Sequence, residues 1–238
     1  MSTPLSSWPR VQSVPPNYVM PEDKRPGGDI SAPICQDIPI IDLSQLVGLD
    51  RVEIVQKIVK ASMDVGVFQV INHGISKELM DETMEIFKEF FNMLAEDKAM
   101  YHSNNPSKGL GIKFGYFEGE LSQRQSLMAH ENPPCPEPSL VLGAGDHTDV
   151  SMLTLLQQQE IYGLQIHKDG QWLGVQPIPH AFVIFVGDQL EVEELSLSPA
   201  RASPSQCRLR SLLRKNLARV WIHELTMLEE WLSLYNGS

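Results

Sequence analysis

Apolar residues in the first hundred positions alternate between the spacing of a strand and the spacing of a helix. Residues 38–43 and 67–71 are short apolar runs rich in β-branched side chains, which predict buried strands. Between them, from residue 50 to 65, apolar positions recur every three or four residues and predict an amphipathic helix. The predicted buried face of this helix consists of Val52, Val55, Ile58, Val59 and Ser62.

A second helix is predicted after Asn72-His73-Gly74, a sequence typical of a turn in which His73 is interpreted as structural. Ser76 is a favourable N-cap for this helix, because its hydroxyl accepts a hydrogen bond from a free amide of the first turn. The apolar stripe of the helix is interpreted as core rather than as a cofactor site. This stripe consists of Leu79, Met80, Thr83, Phe87, Phe90 and Phe91.

The pattern changes after Gly109, where short β-type runs replace the helical spacing. Residues 133–138 contain four prolines, which exclude an α-helix and favour an extended, turn-rich segment. Strands are predicted at residues 151–156, 163–167, 171–175 and 181–186, and a loop containing Gly170 joins two of them as a hairpin. Several short strands at close spacing predict a sandwich or a jelly-roll barrel.

Composition and charge exclude several classes of partner. The formal net charge of −11 argues against nucleic acid, whose phosphates need clustered Lys and Arg, and against an anionic membrane surface. The N-terminal sequence has no apolar segment of a signal peptide, and no apolar run is long enough to span a bilayer. Three widely spaced cysteines predict free thiols in a reducing compartment, so a cytoplasmic location is expected.

Candidate metal ligands occur at His147 and Asp149, which are separated by one residue. On a strand, residues i and i+2 face the same side, so the imidazole and the carboxylate would project together. They would supply two-thirds of the two-His, one-carboxylate set that binds non-haem Fe(II) and leaves coordination positions open. Because H-x-D also occurs by chance, a surface polar pair is the alternative interpretation of this motif alone.

Several short segments, taken in order, resemble plant Fe(II)/2-oxoglutarate-dependent dioxygenases, and among them the hyoscyamine 6-dioxygenase-like members. The matching segments are residues 38–43, 66–74, 115–117, 133–136, 147–149, 153–156, 163–165, 169–179 and 187–190. The resemblance covers residues 8–108 and 109–192. It implies that His147, Asp149 and a second His bind Fe(II), with 2-oxoglutarate as co-substrate, ascorbate as reductant, and O₂ and a small molecule as substrates.

The chain departs from the family pattern at the remaining cofactor residues. Asn132 stands where the family has a Tyr that contacts 2-oxoglutarate, and no His lies between His180 and His223, where the second His ligand is expected. Arg201 and Ser203 spell the family's Arg-x-Ser, whose guanidinium grips the distal carboxylate of 2-oxoglutarate. They lie too early in the chain, so coincidence is the favoured interpretation. His223 is a weak candidate for the third ligand, since its neighbours differ from those of the family.

The predicted fold class is α+β, with N-terminal helices packed on an incomplete double-stranded β-helix, or jelly-roll barrel. The predicted regions are an irregular arm (1–37), a helical region (38–108), a partial barrel (109–192) and a basic, helical tail outside the family pattern (193–238). Lys108 runs directly into Gly109, where the family has a further segment.

The expected function is hydroxylation or desaturation of a small specialised metabolite by a monomeric dioxygenase, with no catalytic residue beyond the metal ligands. The alternative is a truncated or mis-spliced family member that is catalytically inactive and at best binds a metal or a small molecule weakly. The missing second His and the substitution at Asn132 favour low turnover.

Overall fold

The computed structural model describes residues 12–25, 32–46, 50–99, 128–132 and 134–188. The chain divides into two compact units. The first comprises Met1–Gly28 and Asp81–Ala144, and the second comprises Asp29–Met80 and Gly145–Ser238. The tail predicted at residues 193–238 lies outside the described residues, so its boundary stays a prediction.

A mixed four-stranded sheet lies at the centre of the second unit. The strands of this unit are β1 at Ile40–Asp42, β2 at Val67–Ile71, β3 at Leu153–Gln157, β4 at Gln165–Lys168, β5 at Gln171–Gly174 and β6 at Phe182–Val186. The sheet order is β1-β2-β6-β3, while β4 and β5 form a separate hairpin. β1 runs parallel to β2, whereas β2 and β3 both pair with β6 in antiparallel fashion. The inner strands β2 and β6 are the most continuously apolar ones, because both of their faces are covered.

The helices in the described ranges are α1 at Arg51–Asp64, α2 at Lys77–Asn92 and α3 at Ala95–Ala99, with 3₁₀ turns at Pro16–Tyr18, Glu22–Lys24 and Pro138–Leu140. Ser76 caps α2 as predicted, since its Oγ accepts a hydrogen bond from the Leu79 amide at 3.1 Å. In the first unit, the turn that begins at Pro138 is tied to the N-terminal arm, because the Met20 amide donates to the Leu140 carbonyl at 2.8 Å. Among all the residues that the structure describes, no helix has the length and apolar character needed to span a membrane.

Alternate residues of the sheet belong to two different apolar clusters. Phe68 of β2 and Ile184 of β6 are fully buried and share one cluster with Ile58 of α1 and Met80 of α2. Val183 of β6 belongs to the other cluster, which includes residues of the β4–β5 hairpin. Because side chains alternate along a strand, each inner strand contributes to both clusters. Helices therefore cover one face of the sheet and the hairpin covers the other, which agrees with the predicted α+β class.

The buried face of α1 differs from the predicted one. Ile54, Ile58 and Ala61 are buried, whereas Val52, a predicted core position, is 68% exposed. Apolar residues occupy more than half of the circumference of this helix, so their spacing alone does not select one face. Packing against the sheet determines which face of α1 is buried, and it leaves the side chain of Val52 exposed to solvent.

The loop between β4 and β5 is the hairpin turn that the sequence predicts. Asp169 and Gly170 both have positive φ, 52° and 78°, which is the pattern of a two-residue type I′ turn. The end of the predicted N-terminal arm pairs with this hairpin, because the Cys35 amide donates to the Gly174 carbonyl at 2.8 Å. The Gly174 amide in turn donates to the Pro33 carbonyl at 2.9 Å.

His73 ties the end of β2 to the residues that precede β6. Its Nε2–H donates to the carbonyl oxygen of His180 at 2.9 Å, and its Nδ1 accepts from the Ile75 amide at 3.3 Å. A carbonyl only accepts and an amide N–H only donates, so these contacts fit the neutral imidazole protonated on Nε2. The ring centroid lies 4.8 Å from that of Phe182. His73 thus has the structural role that the sequence predicts.

The stability of the folded chain is expected to decrease as the pH falls below about 6.5, in part because of His73. Burial lowers the pKa of His73, and this effect outweighs the hydrogen bond to the His180 carbonyl, which raises it. Because the pKa is lower in the folded chain, the unfolded chain binds the proton first. The contribution of His73 is therefore complete above the ordinary histidine pKa and is lost as the pH falls through the folded pKa.

Urea denaturation of the wild type and His73→Asn, between about pH 5 and pH 8, measures this effect. The wild type is expected to lose more stability on acidification than the variant. His130→Asn serves as the matched control, because His130 is an exposed histidine. If acidification lowers the free energy of unfolding equally in the wild type and in His73→Asn, His73 does not contribute to the pH dependence of stability.

Candidate functional site

The candidate ligands His147 and Asp149 lie in an irregular segment just before β3, not on a strand as predicted. The ladder between β3 and β6 begins only at the pair Leu153 and Val186. Beyond that pair, the Asp188 amide donates to the Asp149 carbonyl at 2.8 Å, which holds the segment without strand geometry. The two candidate side chains nevertheless face each other, with 3.6 Å between His147 Nε2 and Asp149 Oδ1.

A backbone carbonyl sets the proton position on the imidazole of His147. Its Nδ1 lies 2.8 Å from the carbonyl oxygen of Gly145, and since that oxygen only accepts, Nδ1 carries the proton. In the neutral ring, Nε2 then presents a lone pair towards Asp149 Oδ1. Two electron-rich atoms that face each other are stabilised by a cation between them, either a proton on Nε2 or a metal ion. The same carbonyl-to-imidazole contact is typical of metal-binding histidines.

The donor set and its exposure fit a divalent transition-metal ion. The side chain of His147 is 65% exposed and that of Asp149 is 28% exposed, so an ion can reach both from solvent. Two neighbouring ligands of such an ion stand roughly 3 Å apart at ordinary metal–ligand distances. The observed separation of 3.6 Å needs only a small side-chain adjustment. An imidazole with a carboxylate suits Fe(II) and leaves positions for other ligands.

The other predicted cofactor residues either belong to the first unit or lie outside the described residues. Within those ranges, the structure places no group of three or more His, Cys, Asp or Glu residues that could hold a metal ion. Asn132 belongs to the first unit, where it is exposed and its side chain lies against Gly143. Arg201, Ser203 and His223 lie outside the described residues, so their assignments stay predictions.

Asp188 is a site residue whose role the sequence did not reveal. From the sequence, Asp188 is interpreted as a turn residue that follows a strand, within the matching segment at residues 187–190. In the structure, the hydroxyl of Thr148 donates to Asp188 Oδ2 at 2.9 Å, although the two residues are 40 positions apart. The sequence signal for this residue was the Gly187-Asp188 pair, which directly follows the strand predicted at residues 181–186 and belongs to a segment that resembles the family.

Two family models match this chain in sequence. The model described as the non-haem dioxygenase in morphine synthesis N-terminal region matches residues 38–139, and that of the 2OG-Fe(II) oxygenase superfamily matches residues 123–196. The chain is 35% identical to hyoscyamine 6-dioxygenase of Hyoscyamus niger, a match that covers 81% of this chain and 76% of the relative. The chain belongs to the 2OG-Fe(II) oxygenase superfamily. Members of this superfamily use Fe(II) and 2-oxoglutarate.

Other relatives of this oxygenase have similar coverage. Protein DOWNY MILDEW RESISTANCE 6 of Arabidopsis thaliana is 32% identical over 79% of this chain and 74% of its own length.

The alignment with the Hyoscyamus enzyme is 271 positions long, although it covers only 81% of a chain of 238 residues. The relative therefore carries residues that this chain lacks, in keeping with the internal segment that the sequence indicates to be missing.

Solved structures show the fold of this oxygenase. A crystal structure of JOX2 in complex with 2OG, Fe and JA matches with a TM-score of 0.58 and 29% identity, covering 79% of this chain and 73% of the other. A full-length Neurospora crassa protein in complex with alpha-KG and 5-formyluracil matches with a TM-score of 0.52 at 18% identity, and it supports the fold alone. That match covers 68% of this chain and 76% of the other. The predicted combination of N-terminal helices with a double-stranded β-helix is confirmed.

Proposed function

We propose that His147 and Asp149 supply two of the protein ligands to Fe(II) in this dioxygenase, and that its organic substrate is a small specialised metabolite. The single observation that carries the assignment is the geometry of the pair. Gly145 holds the proton on His147 Nδ1, and the free Nε2 faces Asp149 Oδ1 at 3.6 Å. This arrangement leaves a place for a cation between a neutral nitrogen and a carboxylate.

Fe(II) held here would supply the O₂ chemistry of the family, in which one oxygen atom enters succinate as 2-oxoglutarate loses CO₂ and the other oxidises the substrate. The residues of this chain have simpler tasks. His147 donates the lone pair of Nε2, and the Gly145 carbonyl keeps the ring in the tautomer and orientation that allow this. Asp149 contributes a negative charge that offsets part of the charge of the ion.

The substrate proposal rests on the nature of the named relatives. The printed names of three of them refer to hyoscyamine, to flavanone and to 2'-deoxymugineic acid, all of which are small molecules. The net charge of −11 makes a nucleic-acid substrate unfavourable. We further propose a cytoplasmic, monomeric enzyme that needs ascorbate to keep its iron reduced.

Metal titration tests the ligand assignment. Mn(II) binding, followed by the loss of the free-ion electron paramagnetic resonance signal, is expected to be about 100-fold weaker in His147→Ala than in the wild type. The matched control is His130→Ala, which removes an exposed histidine of the other unit. Equal Mn(II) affinity in the wild type and His147→Ala would overturn the assignment.

A turnover assay separates the enzyme from the inactive alternative. Succinate release is measured with Fe(II), ascorbate and 2-oxoglutarate for the wild type, His147→Ala, Arg201→Ala and His223→Ala. An active enzyme releases succinate in a manner that requires His147, and a further requirement for Arg201 or His223 would give those residues cofactor roles. Metal binding without succinate release would favour the inactive family member instead.

A further inference from the structure

The segment that carries the candidate ligands is fastened to the residues that follow β6. Asp188 makes two of the contacts, since its amide donates to the Asp149 carbonyl at 2.8 Å and its Oδ2 accepts from the Thr148 hydroxyl at 2.9 Å. The amide of the preceding residue, Gly187, donates to the Met152 carbonyl at 2.9 Å. We call the two contacts of Asp188 the Asp188 latch.

Thr148 lies between the two candidate ligands in the chain, so the Asp188 latch restrains both of them through Thr148. Thr148 is the residue that joins His147 to Asp149 in the chain, and its hydroxyl donates to Asp188 Oδ2 at 2.9 Å. Thr148 is β-branched and therefore has few side-chain rotamers. Holding its hydroxyl restricts the two peptide units that join His147 to Asp149, and with them the separation of Nε2 and Oδ1.

The chemistry of Asp188 fits an orienting role better than a ligand role. Its Oδ2 accepts a hydrogen bond from a hydroxyl, and a charged acceptor makes such a bond stronger than a neutral one. Among the described residues, Asp188 forms no group of three potential ligands with His147 and Asp149. Its amide is also committed to the backbone of a candidate ligand, Asp149, rather than to solvent.

We propose that Asp188 is a positioning residue of the metal centre. Through the Thr148 hydroxyl and the Asp149 carbonyl, it holds His147 and Asp149 in the arrangement that one divalent ion bridges. This proposal rests on the proposed function, in which those two residues are ligands. It assigns Asp188 an effect on metal affinity and on ligand geometry, without direct contact to the ion.

The test compares variants that remove the acceptor with variants that keep it. Asp188→Ala and Thr148→Val each delete one partner of the hydrogen bond and are expected to weaken Mn(II) binding about tenfold, as loss of an orienting partner does elsewhere. Asp188→Asn keeps an acceptor oxygen and Thr148→Ser keeps the hydroxyl, so both are expected to bind Mn(II) within about twofold of the wild type. The double variant Thr148→Val/Asp188→Ala is expected to be no weaker than either single one.

Two further readouts separate positioning from general loss of structure. The ligand-field absorption of bound Co(II) is expected to change in Asp188→Ala and to be restored in Asp188→Asn. In the metal-free chain, hydrogen exchange at the amides of Gly187 and Asp188 is expected to be faster in Asp188→Ala, while the thermal unfolding midpoint stays close to that of the wild type. Asp169→Asn is the control for charge, because Asp169 lies in the β4–β5 turn and the variant loses the same charge at a distance.

The outcomes distinguish this proposal from the one on which it rests. If His147→Ala binds Mn(II) as the wild type does, the ligand assignment itself fails. If His147→Ala loses binding while Asp188→Ala keeps wild-type affinity and an unchanged Co(II) spectrum, only the positioning role of Asp188 fails. A loss in Asp188→Asn as large as that in Asp188→Ala would also overturn the proposal, because charge rather than the hydrogen bond would then be responsible.

Discussion

Replacing Phe68 with alanine is expected to lower the free energy of unfolding by about 4 kcal/mol. Phe68 is fully buried in β2 and packs in the cluster formed by the sheet, α1 and the start of α2. The loss combines the transfer of a large apolar side chain with the cavity that remains, since the β-sheet cannot collapse into it. A domain is stabilised by only about 5–15 kcal/mol in total, so this change removes a large part of the stability.

Urea denaturation of the wild type and Phe68→Ala measures the effect. Ile58→Val provides a graded change in the same cluster and is expected to cost about 1 kcal/mol. Val52→Ala is the control, because Val52 is 68% exposed on α1 and its truncation is expected to change stability by less than about 0.5 kcal/mol. A loss below about 1.5 kcal/mol for Phe68→Ala would contradict the burial of this side chain.

Gly187→Ala is expected to destabilise the chain by about 3 kcal/mol and to weaken metal binding as well. A Cβ at Gly187 would overlap the carbonyl oxygen of Ser151 and would lie 2.9 Å from that of Asp149. Both neighbours are backbone atoms, so no flexible side chain can move aside. Relief requires the segment before β3 to separate from the end of β6, which breaks the bond from the Gly187 amide to Met152 and disturbs the ligand segment.

The measurements for this variant are thermal unfolding and Mn(II) titration. The matched control is Gly163→Ala, because a Cβ at Gly163 meets no atom within 4 Å. Gly163→Ala is expected to leave metal affinity unchanged. Wild-type stability and metal affinity in Gly187→Ala would show that the two backbones are not in close contact at this point.

Local sequence predicted most of the elements within one or two residues of their observed bounds. The strand predicted at residues 67–71 is β2, Val67–Ile71, and the helix predicted between residues 50 and 65 is α1, Arg51–Asp64. The turn at Asp169 and Gly170 was equally accessible, because Gly adopts positive φ without steric cost. Each of these predictions depends on side-chain spacing or backbone preferences within about ten residues of the chain.

Predictions that needed a distant partner were less complete. The prediction of the buried face of α1 was partly wrong, because Val52, predicted to be buried, is exposed, whereas Ile54 is buried. The segment of His147 and Asp149 was expected on a strand, but it lies outside the ladder and is held by Asp188 instead. In both cases the outcome is set by which surface the segment meets, and periodicity carries no information about that surface.

The sequence by itself determined the family, the α+β class, most of the strands and helices, and the two candidate ligands His147 and Asp149. It did so because motifs, capping residues and apolar periods act over short stretches of chain. Only the tertiary structure showed that the Gly145 carbonyl directs a lone pair of His147 towards Asp149, and that Asp188 fastens their segment from 40 residues away. The contact of Asp188 with this segment follows from the pairing of β3 with β6, which brings together residues that no local pattern relates.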